Sequence, residues 1–211
     1  ALLYKLFPMK NNITAIIDSD SKTWFRHWFD SSFYHQLYAN RSESEASDFV
    51  DELIQELQPA IDSKMLDLGC GNGRHSRSLA AKGFDVTGID IAEDSIMEAK
   101  ENESDSLHFF LHDMRLPFSI NYFDYAFNFF TSFGYFTHAR DHQLAAKSFA
   151  KGLKKDGYLV LDYLNRDKAE RELVPEEEVQ RGNYTFHIRR RLEAGHFLKE
   201  ISFLDAEGRE R

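Results

Sequence analysis

The sequence has a single cysteine, Cys70, in 211 residues. That excludes an intramolecular disulfide and fits a reducing, cytoplasmic compartment. No apolar run approaches the roughly 18 residues of a spanning helix, so no membrane span is expected. Basic residues are scarce: 26 Lys and Arg face 35 Asp and Glu, for a net charge of −9. A nucleic-acid backbone needs a cationic excess, so the balance argues against nucleic acid as the main partner. No internal repeat or low-complexity tract is present. The opening "ALLYKLFPM" carries neither a basic leader nor a small-residue cleavage site. It reads either as a short ordered segment or as residues added ahead of a start at Met9.

What is plentiful is aromatic: 19 Phe and 9 Tyr. The length suits one domain with an elaboration and a substantial core or aromatic-lined site. Trp24, Phe25, Trp28, Phe29, Phe33, Leu37 and Tyr38 recur at helical spacing, predicting one or two short aromatic-faced helices. "SESE" (42–45) has capping-box form. It precedes the stripe Ala46, Phe49, Val50, Leu53, Ile54 and Leu57, a helix expected to stop near Pro59. The pattern then alternates. Strands are predicted over 65–68, 85–90, 107–113, 123–130 and 158–165, and helices over 74–82, 93–100 and 141–153, with "KKDG" (154–157) as a turn. Continuous apolar strands separated by helices imply a doubly wound, mostly parallel α/β sheet. Its strand C-terminal ends share one edge, where ligands bind. Residues 166–181 read as a charged surface segment, 184–192 and 197–203 as a β-hairpin, and "DAEG" (205–208) as a further turn. The expected organisation is an N-terminal helical cap over 1–45, a cofactor-binding core over 46–165 and a hairpin elaboration over 166–211.

Within the core, "LDLGCGNGRHS" (66–76) places Gly69, Gly71 and Gly73 at alternate positions between a strand and a helix. Such a turn lets a ligand touch backbone amides beside a helix N-terminus. A phosphate-binding loop needs Lys-Ser/Thr after the glycines, and Arg74-His75 stands there instead. A dinucleotide fingerprint needs G-x-G-x-x-G, and the spacing here is G-x-G-x-G. A carboxylate, Asp90, closes the next strand, where it can accept hydrogen bonds from ribose hydroxyls; its other reading is a cap for the following helix.

"LDLGCGNGRHS" with "VTGIDIA" resembles the S-adenosylmethionine site of class I methyltransferases. "WFRHWFDSSFYHQLY", "CGNGRHS", "HDMR" and "NFFTSFGYF" together resemble a bacterial-type subgroup with mostly unassigned substrates. The likeness covers about residues 22–165. It implies a Rossmann-like methyltransferase fold with S-adenosyl-L-methionine as cofactor. The implied cofactor residues are Asp67, Gly69, Cys70 and Gly71 in the turn, with Asp90 on the ribose and Ile91 on one adenine face. Asp113 or the backbone of Met114 reads the adenine edge, and Asn128 lies near the methionine moiety. Tyr34 and Arg41 close over the cofactor carboxylate; for Arg41 a solvated surface position is an equal reading. Cys70 is read as a packing residue of the turn, not as a nucleophile.

Methyl transfer is an in-line displacement that gains from orientation and water exclusion. No catalytic residue is therefore compelled. Tyr135, His138 and His142 are the nearest candidates for a base, and each has an ordinary structural reading. The aromatic stretch 128–136 and the hairpin are expected to shape the acceptor pocket, with Phe129 and Phe130 as core residues. No Asn/Asp-Pro-Pro-Tyr sequence follows the fourth strand, which lowers a nucleic-acid acceptor further. The expected partner is a small-molecule acceptor, with a homodimer as a further expectation. The alternatives are a protein or RNA methyltransferase using Arg189, Arg190 and Arg191 as a basic patch, and a non-catalytic cofactor-binding subunit. The family's last two antiparallel strands find no counterpart after residue 165. Either the C-terminus is missing or the sheet is completed differently.

Overall fold

The computed structural model describes residues 2–4, 24–39, 42–130, 132–193 and 196–204. The elements begin with β1 (Leu2–Tyr4), α1 (Trp24–Phe29), α2 (Ser32–Leu37) and α3 (Glu43–Leu57). They continue with β2 (Lys64–Leu68), α4 (Arg74–Ala81), β3 (Asp85–Asp90), α5 (Glu93–Lys100), β4 (Leu107–Leu111) and β5 (Phe123–Asn128). After a 3-10 turn at Ser132–Tyr135 come α6 (Ala139–Gly152), β6 (Leu153–Leu161), α7 (Arg166–Arg171), β7 (Glu176–Arg181), β8 (Tyr184–Glu193) and β9 (His196–Leu204). They form two compact units, Arg41–Tyr163 and Ala1–Asn40 with Leu164–Arg211.

The first unit holds a five-stranded sheet in the order β4-β3-β2-β5-β6 with every pairing parallel. Met65, Leu66 and Leu68 of β2 and Phe123, Ala126 and Phe127 of β5 are buried. Strands buried on both faces read as continuous apolar runs, which is why the sequence announced them. The chain runs outward through β3 and β4 on one side of β2, then returns to lay β5 and β6 on the other. The order reverses at β2, so the turn following Leu68 sits at the topological switch point.

Helix α3 starts as its capping box implies. Ser42 Oγ accepts the Glu45 N–H at 3.0 Å. Glu43 and Glu45 sit in the first turn, where acids complement the helix dipole. Gln58, in the left-handed region with φ 45°, ends the helix. Val50 is buried in the core, and Phe49, Leu53, Ile54 and Leu57 pack against it.

Several boundaries differ from expectation. The third and fourth strands end at Leu111 and Asn128, two residues early in each case. The "KKDG" segment is not a turn ahead of a strand. It lies inside β6, which starts directly after α6 and ends at Leu161. The register with β5 jumps from Phe123↔Leu153 to Tyr125↔Tyr158, and Asp156 has φ 64°. A bulge absorbs extra residues while the ladder resumes beyond it, and hydropathy alone reads such a polar insert as a turn. Among the described residues, no strand joins this sheet beyond β6.

The second unit is a sheet in the order β1-β9-β8-β7. The expected hairpin is present as antiparallel β8 and β9. The segment read as merely charged contains α7 and a strand, β7, paired with β8. Its "EEEVQR" pattern is polar on one face, and the strand stands at a sheet edge. Its ion pairs with β8 supply what hydropathy does not. One face of β8 and β9 buries Phe186, Ile188, Ile201 and Phe203. Phe33 of α2 packs on Phe203 and Tyr184, with ring centroids 4.3 and 5.6 Å away. The two ends of the chain, separate segments in the sequence reading, thus share one unit. "DAEG" and residues 5–23 lie outside the described residues.

Candidate cofactor site

The glycine turn leaves β2 with Gly69, Gly71 and Gly73 at φ 77°, 55° and 81°. The N–H groups of Gly69 and Cys70 both donate to the Ile89 carbonyl, at 2.8 and 3.1 Å, which fastens the turn to the end of β3. The glycines serve different ends. A Cβ on Gly69 would stand 2.9 Å from both Cβ and Oγ of Ser132 and 3.3 Å from Met114 Cε. A Cβ on Gly73 would stand 2.5 Å from the Phe109 ring. Around a Cβ on Gly71 nothing lies within 4 Å. Packing demands the outer two, while the middle one faces open space.

Asp90 ends β3 opposite this opening. Its Oδ2 accepts the Gly71 N–H at 2.8 Å and its Oδ1 accepts the Ala92 N–H at 2.9 Å. The carboxylate therefore braces both the turn and the backbone just ahead of α5.

Asp67 is placed differently from Asp90. It is 1 % exposed, and Ser76 Oγ donates to its Oδ2 at 2.6 Å. Burial pushes its carboxyl up to about 7; the Ser76 bond opposes this and the Asp90 charge adds to it. Asp67 lies beneath the turn and ties β2 to α4. Cys70 is buried, with its sulfur where a Cβ on Gly88 would approach to 2.9 Å. Burial pushes its thiol well up, and the Asp67 and Asp90 charges push further, so the nucleophilic thiolate is suppressed.

Asn128 is buried at the end of β5. Its Nδ2 donates to the Leu68 carbonyl at 2.5 Å and its Oδ1 accepts the Phe133 N–H at 2.9 Å. Both ends of the amide hold the switch point together. The segment it fixes carries Phe130 at φ 54°. Asp162 holds that residue: its Oδ2 accepts the Phe130 N–H at 3.0 Å, while its own N–H donates to the Asn128 carbonyl at 2.9 Å. The Phe130 ring is 37 % exposed and lies 5.2 Å from the His75 ring. Phe129 is buried, as expected, but Phe130 is not a core residue.

On the β4 side, Asp113 and Met114 follow the strand end. Met114 reaches toward Gly69. Asp113 is gripped by Arg115, whose Nε lies 3.0 Å from Oδ1 and whose second guanidinium arm lies 2.6 Å from Oδ2. Ile91 is half-buried directly after Asp90. Among the base candidates, His138 caps α6 with its side chain exposed, and Tyr135 is half-buried in the 3-10 turn. His142 packs edge-on against Phe133 and Phe136 at 5.1 and 5.3 Å. Tyr34 belongs to the other unit, where its ring meets Trp28, Phe29 and Tyr38. Arg41 lies outside the described residues. The turn, Asp90, Asn128, Asp113 and Met114 thus gather along one sheet edge. Sequence reasoning missed Ser132, Arg115 and Asp162 there. Only Arg115 left a signal, an Asp-x-Arg spacing directly after a strand.

The candidate basic patch is neutralised. Arg189 pairs with Glu176 at 3.2 Å, Arg190 with Glu177 at 2.6 Å, and Arg191 with Glu193 and Glu200 at 3.0 and 2.6 Å. No group of His, Cys, Asp and Glu suited to a metal ion occurs among the described residues.

A parallel sheet with a glycine turn at its switch point, faced by a carboxylate on the neighbouring strand, defines a Rossmann-like nucleotide-cofactor domain. Residues 66–161 match the family described as a methyltransferase domain, and the chain resembles class I, S-adenosylmethionine-dependent methyltransferases in its fold. The chain is 31% identical over 127 residues to the ubiquinone biosynthesis O-methyltransferase of Hydrogenovibrio crunogenus, covering 55% of this chain and 48% of that one. Two solved structures share the fold. An S-adenosylmethionine-dependent methyltransferase from Clostridium acetobutylicum superposes with TM-score 0.65 at 20% identity, covering 89% of this chain and 77% of that one. The S-adenosylmethionine-bound amino pentose methyltransferase of Micromonospora echinaspora gives 0.62 at 24%, covering 86% and 79%. The chain spans about half the length of the curated relatives it matches, 48%, 53% and 55% for the first three.

Proposed function

We propose that the protein transfers the methyl group of S-adenosylmethionine to a small-molecule acceptor in the cytoplasm. The observation that carries this reading is the opening beside Gly71, bordered by the Asp90 carboxylate. A ribose hydroxyl can donate to that carboxylate while the rest of the cofactor lies along the open backbone. The cofactor's sulfonium supplies an already activated methyl group. The chain's own part is to bind, orient and exclude water. Asp90 takes the ribose, Asp113 and Met114 take the adenine, and the segment from Asn128 through the 3-10 turn walls the acceptor side. The single cysteine, buried and unbridged, supports a reducing compartment.

A small acceptor is supported by the neutralised arginines of β8, which offer no unpaired basic stripe to a polynucleotide. The relatives named above, one in ubiquinone biosynthesis and one acting on an amino pentose, support it too. The test is calorimetric titration of the full chain with S-adenosylhomocysteine, then transfer of labelled methyl to metabolite, tRNA and protein fractions. Micromolar binding with label entering the metabolite fraction is expected. Absence of binding defeats the cofactor assignment, and label confined to tRNA or protein defeats the small-molecule acceptor.

A further inference from the structure

Arg115 lies one residue past the segment assigned to the adenine, and its contacts go beyond those of a surface arginine. Its backbone N–H donates to Asp113 Oδ1 at 2.9 Å, and its Nε lies 3.0 and 3.1 Å from Oδ1 and Oδ2. The 2.6 Å bond to Oδ2 completes a fork across both carboxylate oxygens. The pair is largely enclosed, with side-chain exposures of 19 % and 17 %. A second acid, Asp141 in the first turn of α6, lies 3.5 Å from the guanidinium, which also stands 5.6 Å over the Phe136 ring. The cation is thus held from three sides, by the end of β4, by α6 and by the loop after β5.

We infer that Arg115 is a positioning residue that makes Asp113 the reader of the adenine amino group. This deepens the cofactor assignment above and rests on it. Asp113 lies on a turn two residues past the end of β4, and its side chain has two rotatable bonds to fix. A planar guanidinium bound to both oxygens fixes the plane of the carboxylate, which a point charge does not. A carboxylate paired with a guanidinium presents accepting oxygens. Such a group selects a base edge that donates. The exocyclic amine of adenine donates; the oxo group of hypoxanthine accepts and meets the carboxylate oxygen with repulsion. The Asp141 and Phe136 contacts keep the guanidinium from swinging off Asp113.

The test compares binding of S-adenosylhomocysteine and S-inosylhomocysteine to the full chain by calorimetry, in the unmutated protein and in Arg115→Gln and Arg115→Lys. The unmutated protein is expected to prefer the adenosyl compound by about 10-fold or more, the scale of one charge-assisted hydrogen bond. Arg115→Gln should bring the two dissociation constants within about 3-fold, mainly by weakening the adenosyl compound. Arg115→Lys keeps the charge without the fork and should also lose most of the preference; it carries the test should Arg115→Gln melt below assay temperature. A merely structural role predicts that both compounds weaken equally with their ratio unmoved, and that result overturns the inference. An unmutated protein that binds neither compound overturns the cofactor assignment itself. One that binds both equally overturns adenine reading by Asp113 while leaving the turn and Asp90 in place.

Discussion

The carboxylate of Asp90 accepts the backbone N–H of Gly71 at 2.8 Å, joining two positions 19 residues apart in the chain. This one bond connects the sheet's switch point with the neighbouring strand end, and it sets the shape of the opening beside the turn. Asp90→Ala removes both the brace and the group assigned to the ribose. Its S-adenosylhomocysteine dissociation constant should rise by about 10- to 100-fold, as expected for loss of hydrogen bonds to a charged partner. Asp90→Asn retains one accepting oxygen and should fall between. Calorimetry on the three proteins checks this, and equal affinities would remove Asp90 from the site.

The contrast between Gly71 and Gly73 gives a second expectation. Gly73→Ala must place a methyl against the buried Phe109 ring, at a left-handed φ. Overpacking of that kind costs about 1–3 kcal/mol beyond the backbone strain. Gly71→Ala has only the strain, roughly 1–2 kcal/mol, because its Cβ enters open space. That space is the one assigned to the cofactor. Gly71→Ala should therefore lose less Tm than Gly73→Ala and yet lose S-adenosylhomocysteine binding, whereas Gly73→Ala should show the larger loss of Tm. Paired thermal melts and titrations decide it; a Gly71→Ala protein with full affinity would move the cofactor elsewhere.

The cofactor half of the fold was legible because its signals are local. Buried parallel strands are apolar runs, the capping box marks α3, and three alternate glycines announce a turn that a side chain would obstruct. What stayed hidden depends on partners far along the chain. The bulge in β6 is polar and looks like a turn until β5 resumes its ladder with Tyr158. Strand β7 is almost all charge, and only the arginines of β8 reveal it as a strand. Asp67 and Asp90 are both acids near the C-terminal ends of neighbouring strands, yet burial beneath the turn sets Asp67 apart. Asp162, 32 residues from Phe130, has no pattern to announce it.

Phe130 is a bulky residue at φ 54°, a region that costs a non-glycine residue about 1–2 kcal/mol. Such strain persists only where neighbours over-determine the backbone. Asp162 is the neighbour that does so, receiving the Phe130 N–H and donating to the Asn128 carbonyl. Asp162→Ala keeps the backbone donor but removes the acceptor, and should lower the unfolding free energy by about 1–2 kcal/mol. Asp162→Asn retains an accepting oxygen and should lose less than half of that. Urea denaturation of the three proteins with equal m-values tests the pair, and identical losses in both variants would show that the carboxamide cannot replace the acceptor.

Asp67 gives the protein a pH dependence of definite sign. Its carboxyl sits at about 7 in the folded chain against an ordinary value of 3.8. As pH rises from about 4 to 7, the unfolded chain releases this proton while the folded chain keeps it. The unfolded state then binds fewer protons, so stability falls with rising pH across that window. Below pH 4 the contribution is fully present; above pH 7 it is lost, at a cost on the order of a few kcal/mol. Asp67→Asn cannot ionise, and its amide oxygen can still accept the Ser76 hydroxyl. The difference in Tm between Asp67→Asn and the unmutated protein should therefore shift in favour of the variant from pH 4 to pH 8 and level off above that. Taking the difference cancels every other titrating group common to both proteins. A difference that stays constant across the window would show that the buried carboxyl keeps an ordinary pKa, and that the enclosure of Asp67 beneath the turn does not desolvate it.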